Sequence, residues 1–307
     1  MSISVLAKAQ EISFKEHVEL GDVKWNRDYE EALKIAVQEN KAVLILFQEV
    51  PGCATCRNYG NDVLRHPLLV DAIQNSFVPL CIFNNTKGED LKILKKYGEP
   101  TWNNPVVRIV NSKGKDLVKR VNGNYSKSGL ITAMNSALVA NGEFIPDYMN
   151  LLEEEWTSKT ETCYLSMYCF WTGEKEIAKI SGVTGTQAGF MHGKEVVKVD
   201  FDKNRISSKE IQKNAAKKSC GDELFIEEKG YRKDKESKYF LQHNLLRFVP
   251  MTALQAAKIN SGLASKEDVL HLLSPKQLEM FQKISESKGI GFKNVIEQDV
   301  IRAFKMD

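Results

Sequence analysis

The chain of 307 residues lacks a long hydrophobic run. Its longest clearly apolar stretch, Ala42 to Phe47, is far shorter than the roughly 20 residues that a membrane-spanning helix needs. The N-terminal stretch from Met1 to Lys24 lacks the positive start, the apolar block and the small-residue cleavage site of a signal peptide. We therefore expect a cytoplasmic protein with no membrane partner.

Excess charge of one sign is also missing. The 43 Lys and Arg residues are interleaved with the 40 Asp and Glu residues, and the net charge is only +3. A nucleic-acid interface usually shows a basic stripe with aromatic residues between the charges, so nucleic acid is not an expected partner. The hydrophobic share of 42% is ordinary for a soluble globular protein, and the length allows two domains with a core each.

Close cysteine pairs are scarce. In a reducing compartment, such a pair is more often catalytic or metal-binding than a structural crosslink. Of the six cysteines, only Cys53 and Cys56 are neighbours. The others are scattered along the chain: Cys81, Cys163, Cys169 and Cys220.

The N-terminal half alternates helical and extended patterns. Apolar residues recur at helical spacing around Ala32 and again after Cys56, where Pro67 marks a bend or a restart. Short β-branched runs between the helical segments predict buried strands. The predicted order is helix 28–40, strand 42–47, helix 56–74, strand 77–83, helix 91–97, strands 105–110 and 117–121, and helix 126–140.

The C-terminal half begins with a predicted linker, residues 142–161, and includes a charged segment, 227–238, predicted to be a solvated loop. From Thr252 onward the pattern is helical, with Ser274 as an N-cap before Pro275. Leucines at helical spacing in this last part predict a core or a cap and indicate no chemistry. The remaining predicted elements are strand 163–168, helix 172–180, strand 195–201 and helix 207–216.

Pro51 and Gly52 end a predicted buried strand, and Cys53 follows them directly. Cys56 lies one helical turn further along. The free N–H groups and the dipole at a helix N-terminus favour negative charge, so the pKa of Cys53 should lie below the roughly 8.5 of a free cysteine. We expect Cys53 to be the exposed nucleophile and Cys56 to resolve the mixed disulfide. The alternatives are incidental thiols or a zinc site, but this half has no other close Cys or His pair to complete one.

Residues 24–140 resemble the thioredoxin superfamily. The segment from Val50 to Cys53 is similar to a branch in which some members carry selenocysteine at the first cysteine position. Ala54-Thr55 departs from the Gly-Pro of thioredoxin itself, which leaves the redox potential open. The resemblance also covers a helix with the pattern Trp-x-x-x-Tyr-x-x-Ala, here Trp25, Tyr29 and Ala32.

This resemblance implies a thioredoxin fold, in which Pro105 is a cis proline that faces the cysteine pair and holds extended substrate backbone. Cys81 lies inside an apolar strand and is predicted to be an inert buried thiol.

Cys169 lies at a second junction of a predicted strand and a helix, where the helix dipole favours a thiolate. Phe170 and Trp171 follow it directly. Two adjacent aromatic rings beside a reactive thiol could form an apolar cup for a methyl group or a thioether. The alternative is that Cys169 is only a packed thiol.

Residues 162–213 resemble the A-type peptide methionine sulfoxide reductases. The match rests on Cys169-Phe170-Trp171, on Ser181-Gly182-Val183, on Gly189-Phe190 and on the run that begins with Glu195-Val196-Val197. The resemblance implies a ferredoxin-type α/β sandwich. The family's longer loop before the glutamate is missing here, and Phe190 replaces a tyrosine whose hydroxyl helps to bind the sulfoxide oxygen.

Carried over by position, Cys169 would attack the sulfoxide sulfur while Phe170 and Trp171 hold the S-methyl group. Glu195 would supply the proton that lets the oxygen leave; alternatively, it is a surface carboxylate. The sulfenic acid left on Cys169 would condense with a second thiol. Cys220, which follows two lysines, is the candidate for that thiol, or else it is an unpaired exposed cysteine.

The sequence thus predicts an α/β thioredoxin-like domain and an α+β reductase-like domain. The predicted parts are an extension, 1–23, the thioredoxin-like domain, 24–145, the reductase-like domain, 155–250, and a helical C-terminal segment, 251–307.

The predicted function is a thiol-based oxidoreductase. The substrate would be an oxidised protein or an oxidised small-molecule sulfur compound, and methionine sulfoxide is the expected group. It would be reduced at Cys169 with electrons from the Cys53–Cys56 pair. An external thiol reductant, either thioredoxin reductase-like or of low molecular weight, would restore the pair, and no metal or organic cofactor is expected. The alternatives are a general protein thiol–disulfide reductase and a non-catalytic redox sensor whose second domain binds a partner.

Overall fold

The computed structural model describes residues 17–218 and 221–305. The chain divides into two compact units, with the boundary between Ile145 and Pro146. Within the described residues, no helix is both long and apolar enough to cross a membrane.

The first unit contains a four-stranded sheet in the order β2-β1-β3-β4. β1 (Ala42–Gln48) pairs parallel with β2 (Phe77–Phe83) and antiparallel with β3 (Val106–Val110), and β3 pairs antiparallel with β4 (Val121–Asn122). The helices of this unit are α1 (Tyr29–Glu39), α2 (Ala54–Asp62), α3 (Pro67–Ser76), α4 (Glu89–Lys96) and α5 (Lys127–Ala140).

β1 is central because apolar side chains cover both of its faces. Val43, Ile45 and Phe47 pack in one cluster with residues of α1 and α4. Leu44 and Leu46 point to the opposite face, since side chains alternate along a strand, and they are also fully buried. A strand buried on both faces has a fixed position, so its carboxyl end delivers residues 49–53 to a defined place.

The helical stretch expected at 56–74 is two helices, α2 and α3, and Pro67 marks the predicted restart, because it begins the second helix at its N1 position. A strand prediction in this unit needs correction. The strand expected at 117–121 is reduced to β4. Before β4, the backbone meets β3 at the Asp116–Val110 bridge and through the hydrogen bond from Leu117 N to Ile109 O, and Asp116 also pairs with Arg108 of β3.

The second unit contains a five-stranded antiparallel sheet in the order β8-β5-β7-β6-β9. From β5 to β8 the elements run β-α-β-β-α-β, which with this strand order is the split β-α-β, or ferredoxin-like, arrangement. Its strands are β5 (Thr160–Ser166), β6 (Val183–Met191), β7 (Lys194–Asp202), β8 (Leu224–Phe225) and β9 (Arg232–Lys233). Its helices are α6 (Asp147–Thr157), α7 (Phe170–Ile177), α8 (Ser208–Ala216), α9 (Tyr239–Gln242), α10 (Ala253–Ala264), α11 (Pro275–Glu286) and α12 (Val300–Ala303).

The predicted linker 142–161 is wrong, because α6 and the start of β5 occupy most of it. α6 carries many acidic residues, yet one side of it is buried through Tyr148, Met149 and Leu152. The predicted order also omits β6. Its apolar alternation is interrupted by Gly185 and Gly189, although nearly the whole strand is buried.

The charged segment 227–238 is not wholly a solvated loop. It contains β9, and Ser237 and Lys238 at its end are buried. The Lys238 ammonium donates to the carbonyl oxygen of Thr186 and pairs with Glu297 at 3.0 Å. A buried lysine is tolerated here because its charge is paired and hydrogen-bonded.

The C-terminal helices begin as the sequence predicts. Ser274 caps α11 and Pro275 is its first residue, and a capping box at Thr252 and Gln255 starts α10. The side chain of Ser261 on α10 donates to the carbonyl oxygen of Lys175 at 2.7 Å. This bond ties α10 to α7, the helix that follows Cys169.

The 3₁₀ turn Val18–Leu20 packs closely on α2 at Gly60, and a substitution there tests this contact. A Cβ at Gly60 would lie 2.1 Å from the carbonyl oxygen of Val18. In a free helix, Gly→Ala is stabilising by about 1 kcal/mol. We expect Gly60→Ala instead to lower the free energy of unfolding by about 1–3 kcal/mol, because overpacking against backbone outweighs propensity. Denaturant unfolding measures it. Asn58→Ala, exposed on the same helix, is the control, and a stabilised Gly60→Ala variant would contradict this packing.

Candidate functional site

Cys53 is the N-cap residue of α2, and Cys56 lies in its first turn. Cys53 is exposed whereas Cys56 is fully buried, and their Sγ atoms are 3.5 Å apart. Gly52 permits this approach, since a Cβ there would lie 2.7 Å from the Cβ of Cys56. The local fold therefore exposes one thiol and places the second directly behind it.

The two thiols have opposite pKa shifts. The backbone amide of Cys56, at the open end of α2, is the main cause that lowers the pKa of Cys53 from 9.0. Burial raises the pKa of Cys56 to about 12. Near neutral pH, Cys53 is thus the thiol that ionises more readily, while Cys56 retains its proton. This is the division of roles expected from the sequence.

Asn104, which lies 48 residues after Cys56 in the chain, contacts the buried thiol. The Cys56 thiol donates to Asn104 Oδ1 at 2.6 Å. The Asn104–Pro105 peptide bond is cis, as the thioredoxin resemblance implies, and Pro105 itself is buried. The side chain of Asn84 donates to the carbonyl oxygen of Asn103 at 3.1 Å and fixes this segment. Sequence reasoning identified Pro105 and missed Asn104.

Two carboxylates near the pair were also missed. Glu19 is buried, and its Oε1 accepts a hydrogen bond from the backbone N–H of Gly52 at 2.7 Å. A carboxylate oxygen of Glu49 lies within 4.8 Å of the Sγ atoms of Cys53 and Cys56. The available signal was the position of Glu49, between a buried strand and the cysteines. The order of residues alone does not show that its side chain turns toward them.

In the second unit, Cys169 is the N-cap residue of α7 and is half-buried. Glu195, at the start of β7, accepts a hydrogen bond through Oε2 from the backbone N–H of Phe170 at 2.9 Å. Its own carbonyl oxygen accepts one from Met167 N at 3.0 Å. The fold therefore brings Glu195 to the helix end that begins at Cys169, 26 residues earlier in the chain.

Aromatic rings surround this helix end. Phe170 belongs to the hydrophobic core and meets Phe190 edge to face at 5.3 Å. Trp171 is half-buried and stacks on Tyr239 at 4.2 Å between ring centroids. Trp171 Nε1 is buried and has no hydrogen-bond partner among the residues that the structure describes. Tyr239 was not recognised from the sequence, because it lies 68 residues after Trp171.

Glu174 is a buried carboxylate on α7 that sequence reasoning did not assign. Its oxygens accept hydrogen bonds from Ala188 N at 3.0 Å, Ser237 Oγ at 3.1 Å and Lys238 N at 2.7 Å. Burial raises its pKa despite the opposing effects of Lys238 and these hydrogen bonds. The contacts fix the segment that leads to Tyr239 against α7 and β6.

Of the other cysteines, the two that the structure describes, Cys81 and Cys163, belong to neither of these groups. Cys81 is buried as predicted, and Cys163 is buried as well. Burial raises the pKa of each to about 12. Cys220, the predicted resolving thiol, lies outside the described residues.

The N-terminal unit has relatives. Residues 24–112 match a family model described as thioredoxin-like. Among solved structures, a chain described as DsbH oxidoreductase is 15% identical with a TM-score of 0.34, and the match covers 45% of this chain and 95% of that one. No curated protein matches the chain. The chain thus contains a thioredoxin-like domain with a C-x-x-C pair, and the family match ends before the second unit.

The opposed pKa shifts predict different alkylation profiles. In chelator-containing buffer, the reaction of Cys53 with iodoacetamide should have its pH midpoint below 9.0, since a lowered pKa supplies thiolate at lower pH. Cys56 should stay unreactive until the pH approaches 12. Peptide mass spectrometry after timed labelling measures both, with buried Cys81 as the internal control. A shared midpoint for the pair would contradict the asymmetry.

Proposed function

We propose that this chain is a thiol–disulfide oxidoreductase whose working pair is Cys53 and Cys56. One observation carries the proposal: in a thioredoxin-like domain, an exposed thiol at a helix start lies 3.5 Å from a buried one. The opposed pKa shifts support it, because the reaction needs one ready nucleophile and one thiol held in reserve.

In the proposed cycle, the Cys53 thiolate attacks one sulfur of a substrate disulfide, and a mixed disulfide forms as the other sulfur leaves as a thiolate. Cys56 then loses its proton and attacks Cys53 Sγ, which releases the second substrate thiolate. Two electrons pass from the pair to the substrate. Asn104 orients the Cys56 thiol through their hydrogen bond. An external thiol reductant restores the pair.

A finer proposal concerns the second unit, where Cys169 would reduce a methyl sulfoxide. It is favoured by the hydrogen bond that brings Glu195 to the start of α7, and by the rings of Trp171 and Tyr239 beside it. Because Glu195 Oε2 accepts from Phe170 N, the proton for the leaving oxygen would come from Oε1. The sulfide is released, and Cys169 becomes a sulfenic acid.

The sulfenic acid then condenses with a second thiol, either Cys220 or Cys53, to give a disulfide and water. Two electrons from the Cys53–Cys56 pair reduce that disulfide. In this account, the thioredoxin-like domain serves the second unit as a tethered reductant, which raises its effective concentration.

Insulin reduction with dithiothreitol tests the first proposal. Cys53→Ser should abolish the catalysed rate, because the nucleophile is lost. Reduced Cys56→Ser, incubated with insulin after removal of dithiothreitol, should accumulate mixed disulfides on Cys53, because the resolving thiol is lost. Cys81→Ala, which removes a buried thiol of the same unit, is the control, with folding checked by thermal unfolding. Full activity in Cys53→Ser would overturn the proposal.

Turnover of methionine sulfoxide with dithiothreitol tests the finer proposal. Cys169→Ser should abolish turnover, whereas Cys53→Ser should retain it, because dithiothreitol replaces the tethered donor. Glu195→Gln should lower the rate by about 10²–10⁴-fold if Glu195 is the proton donor. Glu223→Gln, a change at a carboxylate that pairs with Lys194, is the matched control.

The outcomes separate the alternatives. Insulin reduction without sulfoxide turnover would indicate a general protein thiol–disulfide reductase. The absence of both activities would indicate a redox sensor, in which the state of the Cys53–Cys56 pair controls what the second unit binds.

A further inference from the structure

Three potential metal ligands converge at the start of α2. A carboxylate oxygen of Glu49 and the Sγ atoms of Cys53 and Cys56 all lie within 4.8 Å of one another, and the two sulfur atoms are 3.5 Å apart. In a tetrahedral zinc site, with Zn–S bonds of about 2.3 Å and Zn–O bonds of about 2.1 Å, the ligand atoms are separated by about 3.5–3.8 Å. Small side-chain rotations would therefore close this set around one ion.

We propose that the reduced Cys53–Cys56 pair binds one Zn²⁺ ion together with Glu49, with water in the fourth position. Thiolate and carboxylate are both established zinc ligands, and three protein ligands with an open position make a common zinc geometry. The two thiolates select a thiophilic ion over Mg²⁺ or Ca²⁺, which prefer oxygen. The inference goes beyond thiol exchange and does not depend on it.

Glu49 is the carboxylate that the geometry assigns. Glu19 is close by, but its Oε1 already accepts the hydrogen bond from Gly52 N. Glu49 directly follows β1, and its backbone folds back on Gly52, whose Cβ would lie 2.3 Å from the Glu49 carbonyl oxygen. Its half-buried side chain is thereby held on the same side of the turn as the two thiols.

Zinc binding would compete with thiol exchange. When the ion binds, each thiol loses one proton and no electron moves. While both sulfur atoms hold the ion, Cys53 cannot attack a disulfide. Once the ion has dissociated, a disulfide substrate can take two electrons from the pair; the Cys53–Cys56 bond then forms and prevents the ion from binding again. The reduced state would thus be stored as a zinc complex and released by a chelator.

Cobalt and zinc titrations of the reduced, metal-free full chain test the site. One equivalent of Co²⁺ should produce thiolate charge-transfer absorption of the strength given by two sulfur ligands, and Zn²⁺ should displace it. Cys53→Ser should lose this spectrum. Glu49→Gln should weaken Zn²⁺ binding by about tenfold or more, measured by competition with a chromophoric chelator. Glu89→Gln, exposed on α4, should bind like the wild type.

A spectrum with the intensity of a single thiolate would overturn the proposal, and this readout needs no variant. Unchanged Zn²⁺ affinity in Glu49→Gln, or unchanged absorption in Cys53→Ser, would overturn it as well. Insulin reduction by the same sample in chelator separates the two proposals. Insulin reduction without zinc binding would contradict only the metal site. Zinc binding without insulin reduction would contradict only the proposed thiol–disulfide exchange.

Discussion

A strand buried on both faces ends where a helix begins, and the chemistry of the N-terminal unit follows from this junction. β1 can shift only if its core shifts, so the turn from Glu49 to Cys53 is held in place. At that turn the helix start favours an ionised Cys53, while the sheet side of α2 buries Cys56. The asymmetry between two identical side chains therefore follows mainly from the helix start that Cys53 occupies and from the burial of Cys56.

The second unit uses buried charge to hold its own helix start. Glu174 binds the segment at Ser237 and Lys238, and Lys238 in turn pairs with Glu297 from the C-terminal part of the chain. Burial opposes ionisation of Glu297, but Lys238 and Lys233 outweigh it and bring the pKa of Glu297 to about 2. Removing one partner would leave a buried charge uncompensated. This network positions the Tyr239 ring against Trp171, so the surroundings of Cys169 depend on residues far along the sequence.

The elements that the sequence predicts well are those whose pattern is local. Strands β1 and β2 are apolar runs between chain breakers, and the starts of α10 and α11 carry their own capping residues. β6 was missed because Gly185 and Gly189 interrupt its apolar pattern. The strand is buried because of its neighbours in the folded chain, which the local sequence does not show. Local and distant signals differ in the same way at the site of the cysteine pair. The C-x-x-C spacing identifies Cys53 and Cys56, whereas Asn104 lies 48 residues from the thiol that it contacts. Glu49 is adjacent in sequence, but its role depends on a turn that only the folded chain defines.

In the N-terminal unit, Cys53 is exposed and Cys56 lies buried directly behind it, so at equilibrium the two thiols should form a disulfide with each other. Equilibration of the full chain in glutathione redox buffers, followed by acid quenching and peptide mapping, measures this directly. We predict a Cys53–Cys56 disulfide that forms and disappears as a two-electron couple while Cys81 and Cys163 stay reduced. A pair that remains reduced throughout, or a disulfide between either member and Cys81, would contradict it.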